Sequence, residues 1–131
     1  MSALMKDELF HAQLVRAIGY APYGAADFGE CVATASRISG TDLTAWHDEW
    51  AATASRVRDL AIASEAAGET VSARSAYFRA SNYLRTAGLF AMGSPVDPRL
   101  VEAHRLEVDS FRRGAALLDP PPRIVSIPYE G

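Results

Sequence analysis

Three histidines are the residues of this sequence best suited to acid–base chemistry or metal binding: His11, His47 and His104. They fall on three different predicted helices, and no two have the i, i+4 spacing of a helical zinc site. The single cysteine, Cys31, excludes an internal disulfide and lies on an apolar helix face, where it packs as a small hydrophobic group; a reactive thiol is the alternative. We therefore predict no metal and no cofactor.

Carboxylates near the middle of the chain are a second candidate for chemistry. Asp48, Glu49 and Asp59 have the residue types of a paired-carboxylate hydrolytic site. Helical angles separate them, however, and Arg56 and Arg58 lie nearby in the sequence. This pattern favours a solvated charged face.

Two tryptophans one helical turn apart, Trp46 and Trp50, permit two interpretations. They could form an aromatic wall over a substrate pocket, or they could pack in the core between two helices. The pattern favours core packing, because rings of this size contribute several kcal/mol on burial.

One helix face combines residues that suit neither solvent nor core. Arg74, Phe78, Ser81 and Arg85 recur at i, i+4, i+7 and i+11 and therefore share a face. Docking to a second domain is the favoured interpretation; a plain surface and contact with a ligand are the alternatives.

Five predicted helices must position these side chains. Apolar residues recur at helical spacing in five segments bounded by capping and glycine signals, at about 4–19, 27–40, 41–68, 70–91 and 98–118. The expected N-caps are Asp27, Thr41 or Asp42, and Asp97, and Glu30 forms a capping box with Asp27. Because few residues separate the third and fourth segments, we expect these two to form a central antiparallel hairpin. The predicted fold class is all-α.

Two of the predicted helices carry distinctive residue sets. The fourth has a stripe of small residues with Ala73, Ala76, Ala80 and Ala87, and the fifth has an apolar set that includes Val101, Phe111 and Ala115. His47 is expected to face solvent on the third helix, and His104 to be half-buried on the fifth.

The end of the sequence has a different pattern. Pro120–Pro122 stop the last helix, and the residues that follow, to Gly131, read as one short β-strand entering a turn. A lone strand leaves its backbone groups unmatched. We therefore expect either that residues are missing after Gly131 or that this tail pairs with another molecule, and we divide the chain into a helical domain at 1–119 and a linker with a strand at 120–131.

Composition excludes several classes of protein. The chain has 131 residues and a net charge of −3, so it offers no positive surplus for a nucleic-acid backbone. No apolar run approaches the ~18 residues that a membrane span needs. Lys6, Asp7 and Glu8 stand where a secretory signal would be apolar, so a cytoplasmic location is expected, with no nucleic acid and no membrane as partner.

Several motifs together resemble a known family. They are Gly24-Ala-Ala-Asp-Phe-Gly-Glu30, Ala35-Ser-Arg-Ile38, Trp46-His-Asp-Glu-Trp50, Ser72-Ala-Arg-Ser-Ala-Tyr-Phe-Arg-Ala-Ser81, Tyr83-Leu-Arg85, Pro98-Arg99 and Ile127-Pro-Tyr-Glu-Gly131. They resemble the N-terminal part of a group of α/β-hydrolases that includes 2,6-dihydroxypseudooxynicotine hydrolase and fungal hydrolases that shorten polyketide pigment precursors. The resemblance covers nearly the whole chain.

The resemblance implies a helical segment that caps the active site and often aids dimerisation, followed by a catalytic α/β-hydrolase domain. Family members hydrolyse ester, amide or activated carbon–carbon bonds with a Ser-Asp-His triad whose serine lies in a G-x-S-x-G elbow. The sequence contains no G-x-S-x-G, so no catalytic residue can be carried over.

We therefore expect the N-terminal cap segment of such a hydrolase, not catalytic by itself. Its expected partners are the missing C-terminal hydrolase domain and a second copy in a homodimer. A freestanding helical interaction module, similar to a tetratricopeptide hairpin, is the alternative, although no repeat of ~34 residues is present.

Overall fold

Five α-helices make up most of the protein in a computed structural model that describes residues 4–130. Their bounds are α1 Glu8–Ile18, α2 Phe28–Ser36, α3 Leu43–Ala66, α4 Thr70–Gly88 and α5 Pro98–Ala116, with a 3₁₀ turn at Ala21–Tyr23. The all-α prediction is confirmed for the described residues. The outer limits of the two predicted domains, residues 1 and 131, lie outside them.

Aspartates fix where four of the five helices begin. The carboxylates of Asp7, Asp27, Asp42 and Asp97 each accept a hydrogen bond of 2.8–2.9 Å from a backbone N–H two or three residues on. Such caps satisfy N–H groups that have no partner inside the helix. The first helix therefore begins at Glu8, after its cap, and not at Leu4 as predicted.

Helix ends agree less well with prediction than helix starts. Gly68 ends α3 as expected, since its φ of +74° is a left-handed conformation that suits glycine. The second helix ends at Ser36 and not near Gly40, because the side chains of Ser36 and Arg37 both donate to the Ala33 carbonyl in the last turn. These bonds satisfy a terminal carbonyl that would otherwise need a further helical residue.

An aromatic cluster forms the centre of the core. Trp46 and Trp50 are fully buried, with ring centroids 5.7 Å apart. The Trp46 ring also lies 4.7 Å from Phe10, and the Trp50 ring lies 5.6 Å from Tyr83. The interpretation of the two tryptophans as core residues is confirmed.

Small residues let α4 approach its neighbours closely. The predicted alanine stripe, with Ala73, Ala76, Ala80 and Ala87, is buried throughout. Helix α4 contacts both α3 and α5. At the start of α3, the Trp46 Nε1–H donates to the Thr86 carbonyl near the end of α4, at 2.8 Å.

The predicted terminal strand is absent from the described residues. Residues 121–130 have no regular secondary structure, and their apolar side chains are exposed, Ile127 by 81%. The physical reason is that residues 4–130 contain no second strand that could supply the ladder hydrogen bonds.

Candidate functional site

The predicted docking face of α4 lies along its contact with α5, and we call this line of contact the α4/α5 seam. Ser81 is buried there, and its hydroxyl donates to the Glu107 carbonyl of α5 at 3.0 Å. Phe78 lies beside Phe111, with ring centroids 5.6 Å apart. The structure thus brings the α4 face against another helix of the same chain. Its docking to a second domain stays a prediction.

A glycine on α5 permits this close approach. A Cβ atom at Gly114 would lie 3.1 Å from the Cβ of Tyr77 and 3.2 Å from ring atoms of Phe78. Both distances are tighter than ordinary van der Waals contact. The glycine therefore lets the Phe78 ring lie directly under α5.

The apolar set predicted for α5 is buried only in part. The buried residues of α5 are small, Ala103, Ser110, Gly114 and Ala115. Larger apolar residues of the predicted face, such as Val101 and Phe111, are more than half exposed. Val101 and Phe111 border the seam. The exposed face of α4 and these exposed α5 side chains therefore form one continuous surface.

Two arginines on the seam lack a carboxylate partner. Arg74 makes one long contact, from Nη1 to the Leu117 carbonyl at 3.4 Å. Arg85 donates to Asn82 Oδ1 at 3.1 Å, and its guanidinium lies 5.2 Å from the centroid of the Tyr20 ring. These contacts hold both guanidinium groups in position without neutralising their charge.

The other half-buried arginines of the described chain are all neutralised. Arg58 pairs with Asp109, Arg79 with Glu30 at 3.0 Å and Arg113 with Glu65, each across two helices. Partial burial raises the cost of an unpaired charge. The two seam arginines are therefore the exceptions among half-buried arginines at 4–130.

A groove lies at each end of the seam. One groove, of about 430 Å³, has mainly apolar walls that include Met92, Val101 and Arg85. The other, of about 400 Å³, is lined by Tyr23, Arg74, Phe78 and Leu118 among others. Each groove thus combines apolar side chains with one arginine. Each groove also has one carboxylate in its wall, Glu107 beside Arg85 and Asp119 beside Arg74, but neither lies within the 4.0 Å of an ion pair with that arginine, and Glu107 lies 3.4 Å from His104 instead.

Cys31, His47 and His104 have defined surroundings in the structure, whereas the Nδ1 atom of His11 is buried without a hydrogen-bond partner in the described chain. Burial raises the pKa of the Cys31 thiol to about 11, so it remains protonated and unreactive near neutral pH. His47 is half-buried with its Nδ1 2.9 Å from Asp48 Oδ1, whereas His104 is largely exposed; the sequence predicted the reverse. No three His, Cys, Asp or Glu side chains within 4–130 come together as metal ligands.

Two tyrosine-centred networks were not predicted. The Asp27 N–H donates to the Tyr83 hydroxyl at 2.9 Å, and that hydroxyl donates to Glu30 at 2.7 Å. The Tyr83 hydroxyl therefore accepts the Asp27 N–H, which in a complete capping box would donate to the Glu30 carboxylate. Burial raises the pKa of Tyr83, and it raises that of Tyr77, whose hydroxyl donates to Glu65, to about 12. Only the capping-box motif hinted at the first network.

No helix within the described part of the chain is both long and apolar enough to cross a membrane.

This chain is similar over nearly all of its own length to fungal hydrolases. The chain is 37% identical over 131 residues to the hydrolase LUC6 of a Fusarium species, covering 100% of the chain and 31% of the relative. It is 40% identical over 124 residues to the hydrolase acrC of Aspergillus aculeatus, covering 94% and 29%. It is 33% identical over 130 residues to the α/β-hydrolase psoB of Aspergillus fumigatus, covering 98% and 29%.

No protein-family model and no solved structure matches the chain. The chain spans about 30% of the length of the curated relatives that it matches. The resemblance inferred from the motifs is thus confirmed: the chain is similar to hydrolases, α/β-hydrolases among them, and matches an N-terminal fragment of such proteins.

Proposed function

We propose that this chain is the helical cap segment of a serine α/β-hydrolase that cleaves ester, amide or carbon–carbon bonds. In this role it shapes the substrate pocket and is not catalytic by itself. The observation that carries the proposal is the similarity of the entire chain to hydrolases more than three times its length.

The contribution of such a cap to the reaction is exclusion of water and shaping of the pocket. A closed, dry site strengthens the electrostatic interactions that stabilise a developing oxyanion. The all-helical body, with its buried aromatic core, is suited to this role because it supplies a rigid surface. Within that body, α3 and α4 would form the central antiparallel hairpin, which the Trp46–Thr86 contact supports.

The tail is the proposed link to the catalytic domain. Ile124, Ile127 and Tyr129 are exposed, and the backbone around them has no ladder partner within the described chain. An extended segment of this kind is suited to adding a strand to the edge of a sheet, where its backbone groups would be paired. We expect residues 120–131 to act as linker and first strand beside the hydrolase sheet.

Dimerisation is the second part of the proposal. Exposed apolar side chains outside the seam, such as Leu9 and Val15 on α1, favour self-association. Sedimentation equilibrium of the isolated chain tests this directly. A dimer that dissociates on dilution is expected, and a monomer at high concentration would contradict it.

A segment exchange tests the cap role. The portion of LUC6 that matches this chain is replaced by residues 1–131, and turnover of p-nitrophenyl butyrate is compared with that of LUC6 lacking the portion altogether. We expect the exchanged enzyme to retain turnover, the shortened enzyme to lose most of it and the isolated chain to have none.

Two results would count against the proposal. One is a folded exchanged enzyme no more active than the shortened one, which would favour a freestanding interaction module. The other is ester turnover by the isolated chain that disappears on substitution of one of its serines.

A further inference from the structure

The charge distribution on the α4/α5 seam identifies what the seam binds. Ion pairs neutralise Arg58, Arg79 and Arg113. Arg74 and Arg85 are also half-buried, yet they have no carboxylate within 4.0 Å among residues 4–130. A cation that is partly removed from water and left unpaired costs free energy, which a docking carboxylate would recover. The two positions therefore point to an acidic partner.

The spacing of the two arginines describes the partner further. They are eleven residues apart on one helix, which is about three turns and about 16 Å along the axis. The Phe78–Phe111 pair lies between them, and the apolar walls of the two grooves extend toward each arginine. An apolar centre flanked by charged groups is the composition of a protein–protein interface rather than of a free surface.

Contacts within the chain hold both guanidinium groups ready for such a partner. The Asn82 side chain and the Tyr20 ring position Arg85, and the Leu117 carbonyl positions Arg74. Fewer rotamers remain to be frozen on binding, so less of the binding free energy is lost to ordering. Each guanidinium retains N–H groups for a bidentate carboxylate.

We propose that the α4/α5 seam is the surface that docks onto the hydrolase domain, and that this domain presents an apolar ridge with two carboxylates about 16 Å apart, one for Arg74 and one for Arg85. The proposal rests on the proposed cap function and adds to it the face and the chemistry of the contact. The seam connects directly to the tail, because Leu118 and Asp119 line the groove that contains Arg74 and the tail leaves the helical body there.

Charge reversal in the exchanged LUC6 enzyme tests this proposal. The Arg74→Glu/Arg85→Glu variant is compared with Arg16→Glu/Arg56→Glu, which makes the same charge change at two exposed arginines of α1 and α3 that have no carboxylate within 4.0 Å. Reversal places like charges at the interface, so we expect turnover of p-nitrophenyl butyrate to fall by roughly ten-fold or more. The control variant retains turnover, and Arg74→Lys/Arg85→Lys retains most of it because it preserves both charges.

Measurements of folding, turnover and oligomeric state show whether a loss of activity reflects an unfolded variant, a wrong docking surface or a wrong cap function. Far-UV circular dichroism of the isolated variants checks folding, and the neutral Arg74→Gln/Arg85→Gln variant replaces the reversal if the latter unfolds. Equal turnover of the seam and control variants in an active exchanged enzyme overturns this inference while the cap function stands. An inactive but folded exchanged enzyme overturns both, and an isolated dimer that is lost only in the seam variant assigns the seam to a second copy instead.

Discussion

The contacts of helix α4 with α3 and with α5 differ in how completely they bury their side chains. Toward α3, alanines and aromatic rings fill the interface, and the Trp46 indole N–H has a carbonyl partner. Toward α5, the outer edge of the contact leaves large apolar residues and two arginines without compensation. The first side accounts for the stability of this chain by itself, whereas we propose that a partner covers the second.

The largest effect is expected at the centre of the inner side. Trp46→Ala removes a fully buried ring that contacts Phe10 and Phe90 and leaves the Thr86 carbonyl without its donor. We expect the free energy of unfolding of the isolated chain to fall by about 3–5 kcal/mol. Urea unfolding followed by circular dichroism measures it. Met92→Ala, at an exposed side chain in a seam groove, is the control, and an equal loss in both would contradict the distinction.

A second effect compares two glycines at the contact with α5. Gly114→Ala puts a methyl group 3.1 Å from the Tyr77 Cβ, which cannot move without its backbone, and we expect a loss of about 1–3 kcal/mol. Gly88→Ala meets the terminal methyl of Leu100 at 3.1 Å, which can rotate away, and the Ala103 Cβ at 3.6 Å, which is an ordinary van der Waals contact. The gain in helix propensity of up to about 1 kcal/mol should therefore dominate there. Thermal unfolding of the two variants would refute this account if Gly88→Ala were the more harmful.

These glycines also show what the sequence could and could not predict. Four Asp caps and the buried stripe of α4 follow from local signals, and three of the caps and the whole stripe were predicted from them. The buried face of α5 could not be predicted in this way. The apolar residues of α5 lie around much of the helix circumference, so their spacing permits more than one buried face. Gly114 decides between them only through its distance to Tyr77, which lies on another helix.

Local sequence patterns also could not predict that Arg74 and Arg85 lack carboxylate partners. The predicted docking residues Arg74, Phe78, Ser81 and Arg85 do share a face. However, the ion pairs that neutralise other arginines join residues about fifty positions apart, such as Arg79 with Glu30 and Arg58 with Asp109. Sequence spacing cannot show which arginine finds a carboxylate. The lack of partners for Arg74 and Arg85 therefore emerges only from the folded chain.

A third, smaller effect contrasts a paired arginine with an unpaired one. Arg79→Gln leaves Glu30 without its ion pair, and we expect the isolated chain to lose about 1–2 kcal/mol. Arg85→Gln removes an uncompensated charge, so the change should stay within about 0.5 kcal/mol. Chemical unfolding of both variants in parallel measures the difference. A large loss for Arg85→Gln would mean that this residue stabilises the chain itself.

The smallest effect depends on pH and involves Glu65. The hydrogen bond from the Tyr77 hydroxyl, aided by Arg113, holds the pKa of Glu65 below its usual value. As pH falls below about 4.5, the unfolded chain takes up this proton before the folded chain does, so the contribution to stability is present above that pH and is lost as pH falls further. The stability difference between the parent and Glu65→Gln should therefore shrink between pH 6 and pH 3. Asp59→Asn, at an exposed carboxylate without an ion pair in the described chain, should show no such trend.

Cysteine labelling compares the seam with another exposed surface most directly. Val101, beside Arg85 in one seam groove, and Leu60, on α3, are both 57% exposed, and the native Cys31 is fully buried. Val101→Cys and Leu60→Cys are reacted with a maleimide in the isolated chain and in the exchanged LUC6 enzyme. We expect labelling of residue 101 to slow by at least about ten-fold in the enzyme, while labelling of residue 60 is unchanged. Equal rates at residue 101 in the two proteins would show that the seam is not the docking surface.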